Sequence, residues 1–158
     1  MAKRKRKKAE AVIHLSAGPL PERLIPQFVG LPLVFTDASR LRQGGLAAVL
    51  YMTADAEPLI EQRSVPLDGS NELELAAALF GLEQAALKLP NRRFALFSDN
   101  LDAITRLIRA QTLGPAQDAT LGDIASSLTW ASFHWIKGHG RCRGNALADA
   151  RARIAASP

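Results

Sequence analysis

Two apolar runs that each finish on an aspartate constrain the fold of this chain more than any other feature. They are LPLVFTD, ending at Asp37, and RRFALFSD, ending at Asp99. A near-continuous apolar run bounded by turn residues is the pattern of a central strand covered on both faces, so each carboxylate is expected where the sheet surfaces. Burying a lone carboxylate costs several kcal/mol unless something pairs it. The closest base following either aspartate is Arg40, whereas two more acids, Glu74 and Asp149, stand near the starts of two predicted helices. Four converging acids suggest divalent metal.

The rest of the pattern supplies a frame for these two strands. After the first comes the turn ASRLRQGG, then the apolar segment LAAVLYM and the more alternating PLIEQRSV. Three strands in succession predict an antiparallel meander. Leu75, Leu79, Leu82, Ala86 and Leu89 recur at steps of three or four, which predicts a helix from about Asn71 that stops at Pro90. RRFALFSD is then the fourth strand. Leu101, Ile104, Leu107 and Ile108 mark the apolar face of a second helix, and a short helix is expected between Ala119 and Leu128. TWASFHWIKG reads as a fifth strand, and the loop GHGRCRG leads into a last helix from Asn145. The fold class is therefore α/β, a mixed five-stranded sheet with helices on both faces. A helical crossover would set the fourth strand parallel to the first, bringing Asp37 and Asp99 to one edge of a shared sheet.

At 158 residues the chain suits one domain with an extension. Residues 1–30 are expected to be a flexible basic arm and Pro-rich linker, with at most a short strand at AVIHL, and 31–158 the domain proper. The net charge of +5 belongs to the arm: without Lys3 to Lys8, fourteen bases face fifteen acids. Such a block is either a solvated tail, a tether for a polyanion or a nuclear-localisation signal. AVIHL is too short for a secretory signal, and nothing reaches membrane-spanning length. A lone Cys142 excludes an internal disulfide and a multi-thiolate zinc cage. A cytoplasmic protein is expected, or a nuclear one if the arm is a eukaryotic localisation signal, acting as a monomer away from membranes.

FTDAS around Asp37, NELELAAALFGLEQA around Glu74, FSDN around Asp99 and WIKGHGRCRGNALAD up to Asp149 together resemble type 1 ribonuclease H. The match runs in order through most of residues 31–158. The resemblance implies a ribonuclease H-like fold and hydrolysis of the RNA strand of an RNA/DNA hybrid, leaving 3′-hydroxyl and 5′-phosphate ends. It also implies two Mg²⁺ or Mn²⁺ ions. Two such cations about 3.5 to 4 Å apart activate a water on one side of a phosphodiester and stabilise the leaving oxygen on the other. Hard carboxylate oxygens suit them. By resemblance, Asp37 bridges both ions, Asp149 completes the site of the nucleophilic water, and Glu74 with Asp99 holds the leaving-group ion. His139 moves protons or helps product leave. Ser39, Ser70, Asn71 and Asn100 match positions that touch nucleic acid, where short polar groups read the 2′-hydroxyl. Lys137 approaches a phosphate, and Asn145 caps the last helix and braces the loop.

Each residue also has a plainer use. Glu74 would close a capping box from Asn71, Asp99 would cap the following helix, and Asp149 would pair with Arg153 four residues on. His139 would be an ordinary loop histidine; His134, between two aromatics, reads as structural. Ser39, Ser70, Asn71 and Asn100 would serve turns and caps, and Lys137 would be solvated. Departures from the family pattern include a short turn after Asp37, Leu101 where a glutamine is common, and Glu72 where a base is common. No basic protrusion fits between Asp99 and the fifth strand, a loss for which the arm would compensate. A catalytically silent nucleic-acid-binding module of the same fold is the competing function.

Overall fold

The computed structural model describes residues 16–114, 118, 121, 128–138 and 142–158. Strands β1 (Leu33–Arg40), β2 (Gly44–Tyr51) and β3 (Leu59–Val65) form the expected meander. Helix α1 (Ser70–Lys88), strand β4 (Phe94–Ser98), helix α2 (Leu101–Leu113), strand β5 (Ala131–Trp135) and helix α3 (Arg143–Ala156) follow. The sheet order is β3-β2-β1-β4-β5, with β1–β2 and β2–β3 antiparallel and β1–β4 and β4–β5 parallel. Both parallel pairs need crossovers, and α1 supplies the first.

Alternation along the strands divides the core between two faces. Val34, Leu50 and Leu96 pack with Leu75 and Leu82 of α1 and Ile104 and Leu107 of α2. Phe35, Val49, Ala95 and Phe97 point the other way, where Ala148 of α3 joins them. Each large side chain buried here contributes about 1.5–3 kcal/mol relative to exposure. Two glycines set the depth of α3. A Cβ on Gly144 would enter the Phe35 ring, and one on Gly45 would enter the α3 backbone at Ala152. Alanines at 148, 152, 155 and 156 complete this close packing.

Several boundaries differ from the sequence reading. β1 does not stop at Asp37 but runs to Arg40, because Ala38, Ser39 and Arg40 pair with Leu46, Gly45 and Gly44. The reversal is confined to residues 41–43. Segment 16–30, expected as linker, lies on the domain. It forms a 3-10 helix over Glu22–Phe28, buries Leu20, and sets the Phe28 ring 5.0 Å from Phe97. Proline punctuation predicts a break in regular structure, but here Pro19 still accepts a hydrogen bond from Gly144 N–H at 3.1 Å. On α2, Leu101 and Ile108 are 60% and 44% exposed, while Ala103 and Ala110 are buried with Ile104 and Leu107. The arm, AVIHL, most of the helix expected at 119–128, and His139 fall outside the described residues. No helix among the described residues is long and apolar enough to cross a membrane.

Candidate active site

Register brings the first two acids together. The parallel β1–β4 ladder pairs Phe35 with Phe97, so Asp37 and Asp99, each two residues on, share a face just beyond the last paired rung. β1 continues past that point beside β2 alone, with Asp37 opposite Ala47. Glu74, in the second turn of α1, enters from the same end. One carboxylate oxygen from each of Asp37, Glu74 and Asp99 lies within 4.8 Å of the others. α3 adds Asn145 and Asp149 to a cleft of about 480 Å³ that these acids line.

This crowding is electrostatically unfavourable. Among the described residues neither Asp37 nor Glu74 has a cationic partner. Arg40, the nearby base, turns away and donates to the Asp68 carbonyl at 2.9 Å. Burial, then the charge of Asp99, pushes the Asp37 carboxyl up to about 7, although Ala38 N–H donates to it at 2.9 Å. Glu74 is pushed up to about 9 by burial and by the charges of Asp37 and Asp99. Without a cation, the coupled Asp37–Glu74 pair is therefore biased toward holding a proton. Four buried side-chain polar atoms lack a hydrogen-bond partner among the described residues, and three belong to residues lining this cleft: Glu74 Oε2 and both amide atoms of Asn145. An all-oxygen donor set, excess negative charge and orphaned polar atoms suit a hard divalent cation.

The plainer uses fare unevenly. α1 begins at Ser70 with Gly69 before it, so Asn71 is inside the helix and Glu74 closes no capping box. The cap of α2 is Asn100, whose Oδ1 accepts from Ala103 N–H at 2.8 Å; Asp99 is not the cap. Asp149 does make its ion pair with Arg153, Nε to Oδ2 at 3.2 Å. That exposed pair contributes only about 0.3–0.5 kcal/mol. His134 is structural: its ring centroid lies 4.7 Å from that of Phe28, its Nε2 lies 2.8 Å from Ser132 Oγ, and burial lowers its pKa.

Asn71 and Asn100 are joined across the helix starts, Asn100 Nδ2 donating to Asn71 Oδ1 at 3.1 Å, with Ser70 adjacent and exposed. Ser39 lies on β1 opposite Gly45, two residues beyond Asp37. Lys137 is exposed after β5 and does not line the cleft. Asn145 is not the cap expected of it: α3 starts two residues earlier, after Cys142, and Asn145 is buried in its first turn. Trp135 belongs to no candidate set in the sequence, yet its indole N–H donates to the Asp99 carbonyl at 3.0 Å. Gly138 approaches so closely that a Cβ there would sit 2.9 Å from Asp99 Oδ2. An aromatic at the end of an edge strand is the one signal that points to Trp135.

The fold is that of ribonuclease H, a mixed sheet with acids gathered where its two central parallel strands part. Among solved structures, the chain is similar to a ribonuclease H1 called LC11, from compost, in complex with an RNA/DNA hybrid (18% identity, TM-score 0.58, 78% of this chain and 94% of that one). It is similar to ribonuclease H1 from the halophilic archaeon Halobacterium salinarum (18%, 0.57, 80% and 97%). It is also similar to the protease-reverse transcriptase of prototype foamy virus (18%, 0.65, 94% of this chain and 22% of that one). No protein-family model and no curated protein matches the sequence.

Proposed function

We propose that this protein is a metal-dependent endoribonuclease that hydrolyses the RNA strand of RNA/DNA hybrids, leaving 3′-hydroxyl and 5′-phosphate ends. The observation that carries the reading is the group of three carboxylates within 4.8 Å, two of them without a cationic partner among the described residues. That the similar LC11 structure holds an RNA/DNA hybrid supports the choice of substrate.

Asp37, Glu74, Asp99 and Asp149 would hold two Mg²⁺ or Mn²⁺ ions. When bound, such ions generate a nucleophilic water and offset charge on the leaving oxygen. The protein's own share is placement. Asp37 and Asp99 are fixed by strand register, Glu74 and Asp149 by helices packed on opposite faces. Asn71 and Asn100, with Ser39 and Ser70, would read sugar hydroxyls along the minor groove. Lys137 would meet a phosphate, and His139 would carry a proton near neutral pH.

Cleavage of a labelled hybrid, beside duplex DNA and duplex RNA, with Mg²⁺ and with Mn²⁺, tests the reading. Cuts confined to the RNA of the hybrid are expected. Hybrid binding without cleavage under either metal would replace the enzyme with a silent binding module.

A further inference from the structure

Asn145 is 1% exposed, and neither Oδ1 nor Nδ2 has a hydrogen-bond partner among the described residues. An unpaired buried amide costs about 1–3 kcal/mol, and native proteins leave few such groups. This one sits in the first turn of α3, one turn before Asp149, and lines the cleft that holds Asp37, Glu74 and Asp99. The other orphan among the cleft residues, Glu74 Oε2, belongs to the acid cluster itself. The unmet hydrogen-bonding capacity is thus concentrated where the negative charge is.

We propose that Asn145 is a neutral oxygen donor of the cation site, its amide oxygen meeting a bound divalent ion, directly or through an ordered water, on the side where α3 carries Asp149. This rests on the metal-dependent reading above and adds a residue to it. An amide oxygen is a hard donor that suits Mg²⁺ and Mn²⁺ without adding to the crowded negative charge. Gly144 supports the assignment, because its missing side chain lets the start of α3 sit against Phe35 and carries its neighbour Asn145 into the cleft.

The test is Mn²⁺ binding to the full chain, followed by calorimetry and by the electron-spin signal of the free ion, for wild type, Asn145→Leu and Asn145→Asp. Loss of a supporting oxygen typically weakens metal binding about 10–100-fold, and that is expected for Asn145→Leu. Asn145→Asp, which keeps an oxygen, should bind at least as well as wild type. Urea unfolding of the metal-free proteins is the second readout. Asn145→Leu should be no less stable than wild type, because it removes an orphan. Wild-type affinity in Asn145→Leu, or equal losses in both variants, would overturn the proposal. Wild type that binds no Mn²⁺ would instead overturn the metal-dependent reading itself.

Discussion

Asp37 is 4% exposed and borders two other carboxylates, so its ionised form is held against its preference. Asp37→Asn removes a proposed metal ligand and a repulsive charge together. Cleavage should fall at least about 100-fold, while the metal-free protein gains about 1–3 kcal/mol at pH 8, read from urea midpoints. The pH dependence has a definite sign. Folding raises the carboxyls of Asp37 and Glu74 from 3.8 and 4.5 to about 7 and about 9, so the folded state binds more protons between those limits. Their contribution to stability is fullest below pH 4 and is lost as pH rises toward 9. In chelator, stability from these groups should decline from pH 5 to pH 8.5, and Mn²⁺ should restore it at the upper end; equal melts at both pH values would remove the strain from this pair. At this scale Asp37 and Asp99 were legible because each closes an apolar run. Asn145 was singled out as a cap and brace, but its orphaned amide was not legible: whether an amide is satisfied depends on what packs around it, and a capping asparagine and an orphaned one read alike.

Elements carry the acids into range, and α3 does so through close packing. Its seat on the sheet depends on Gly144 against Phe35 and on Gly45 against the helix backbone. Gly144→Ala forces the helix or the ring to move. The expected result is a loss of about 1–3 kcal/mol from overpacking, with a larger fall in cleavage than unfolding explains, because Asp149 moves with α3. Urea unfolding and the cleavage rate at saturating metal check both parts. The central strands were readable from continuous apolar runs, and the outer strand of the meander from its alternation. The α2 face was read only in part, since periodicity weighs large residues, whereas Ala103 and Ala110 are buried beside Ile104 and Leu107 and Leu101 stays exposed. The end of β1 was misplaced because pairing with Gly44, Gly45 and Leu46, and not local propensity, extends it. Segment 16–30 looked like linker because its partners, Phe97 for Phe28 and Gly144 for Pro19, are all distant in sequence.

For the molecule as a whole, charge and topology matter most. Lys3 to Lys8 hold the excess positive charge, and Ser16 Oγ accepts from Arg143 N–H at 3.3 Å at the start of α3. Deleting residues 1–10 should weaken hybrid binding at low salt and flatten the salt slope by about 0.9 for each phosphate that the arm neutralises. An unchanged slope in a binding titration would make the arm a bystander. The pairing of β1 with β4 has a kinetic corollary. Asp37 and Asp99 become neighbours only when two strands separated by β2, β3 and a long helix have docked side by side. Distant pairings of this sort are among the slower ones to form. A cation-binding centre built on them would be a late product of folding, so Mn²⁺ should retard unfolding in stopped-flow traces and leave the refolding limb almost unmoved. Ion capture would then serve as a clock for the moment at which the chain finishes its assembly.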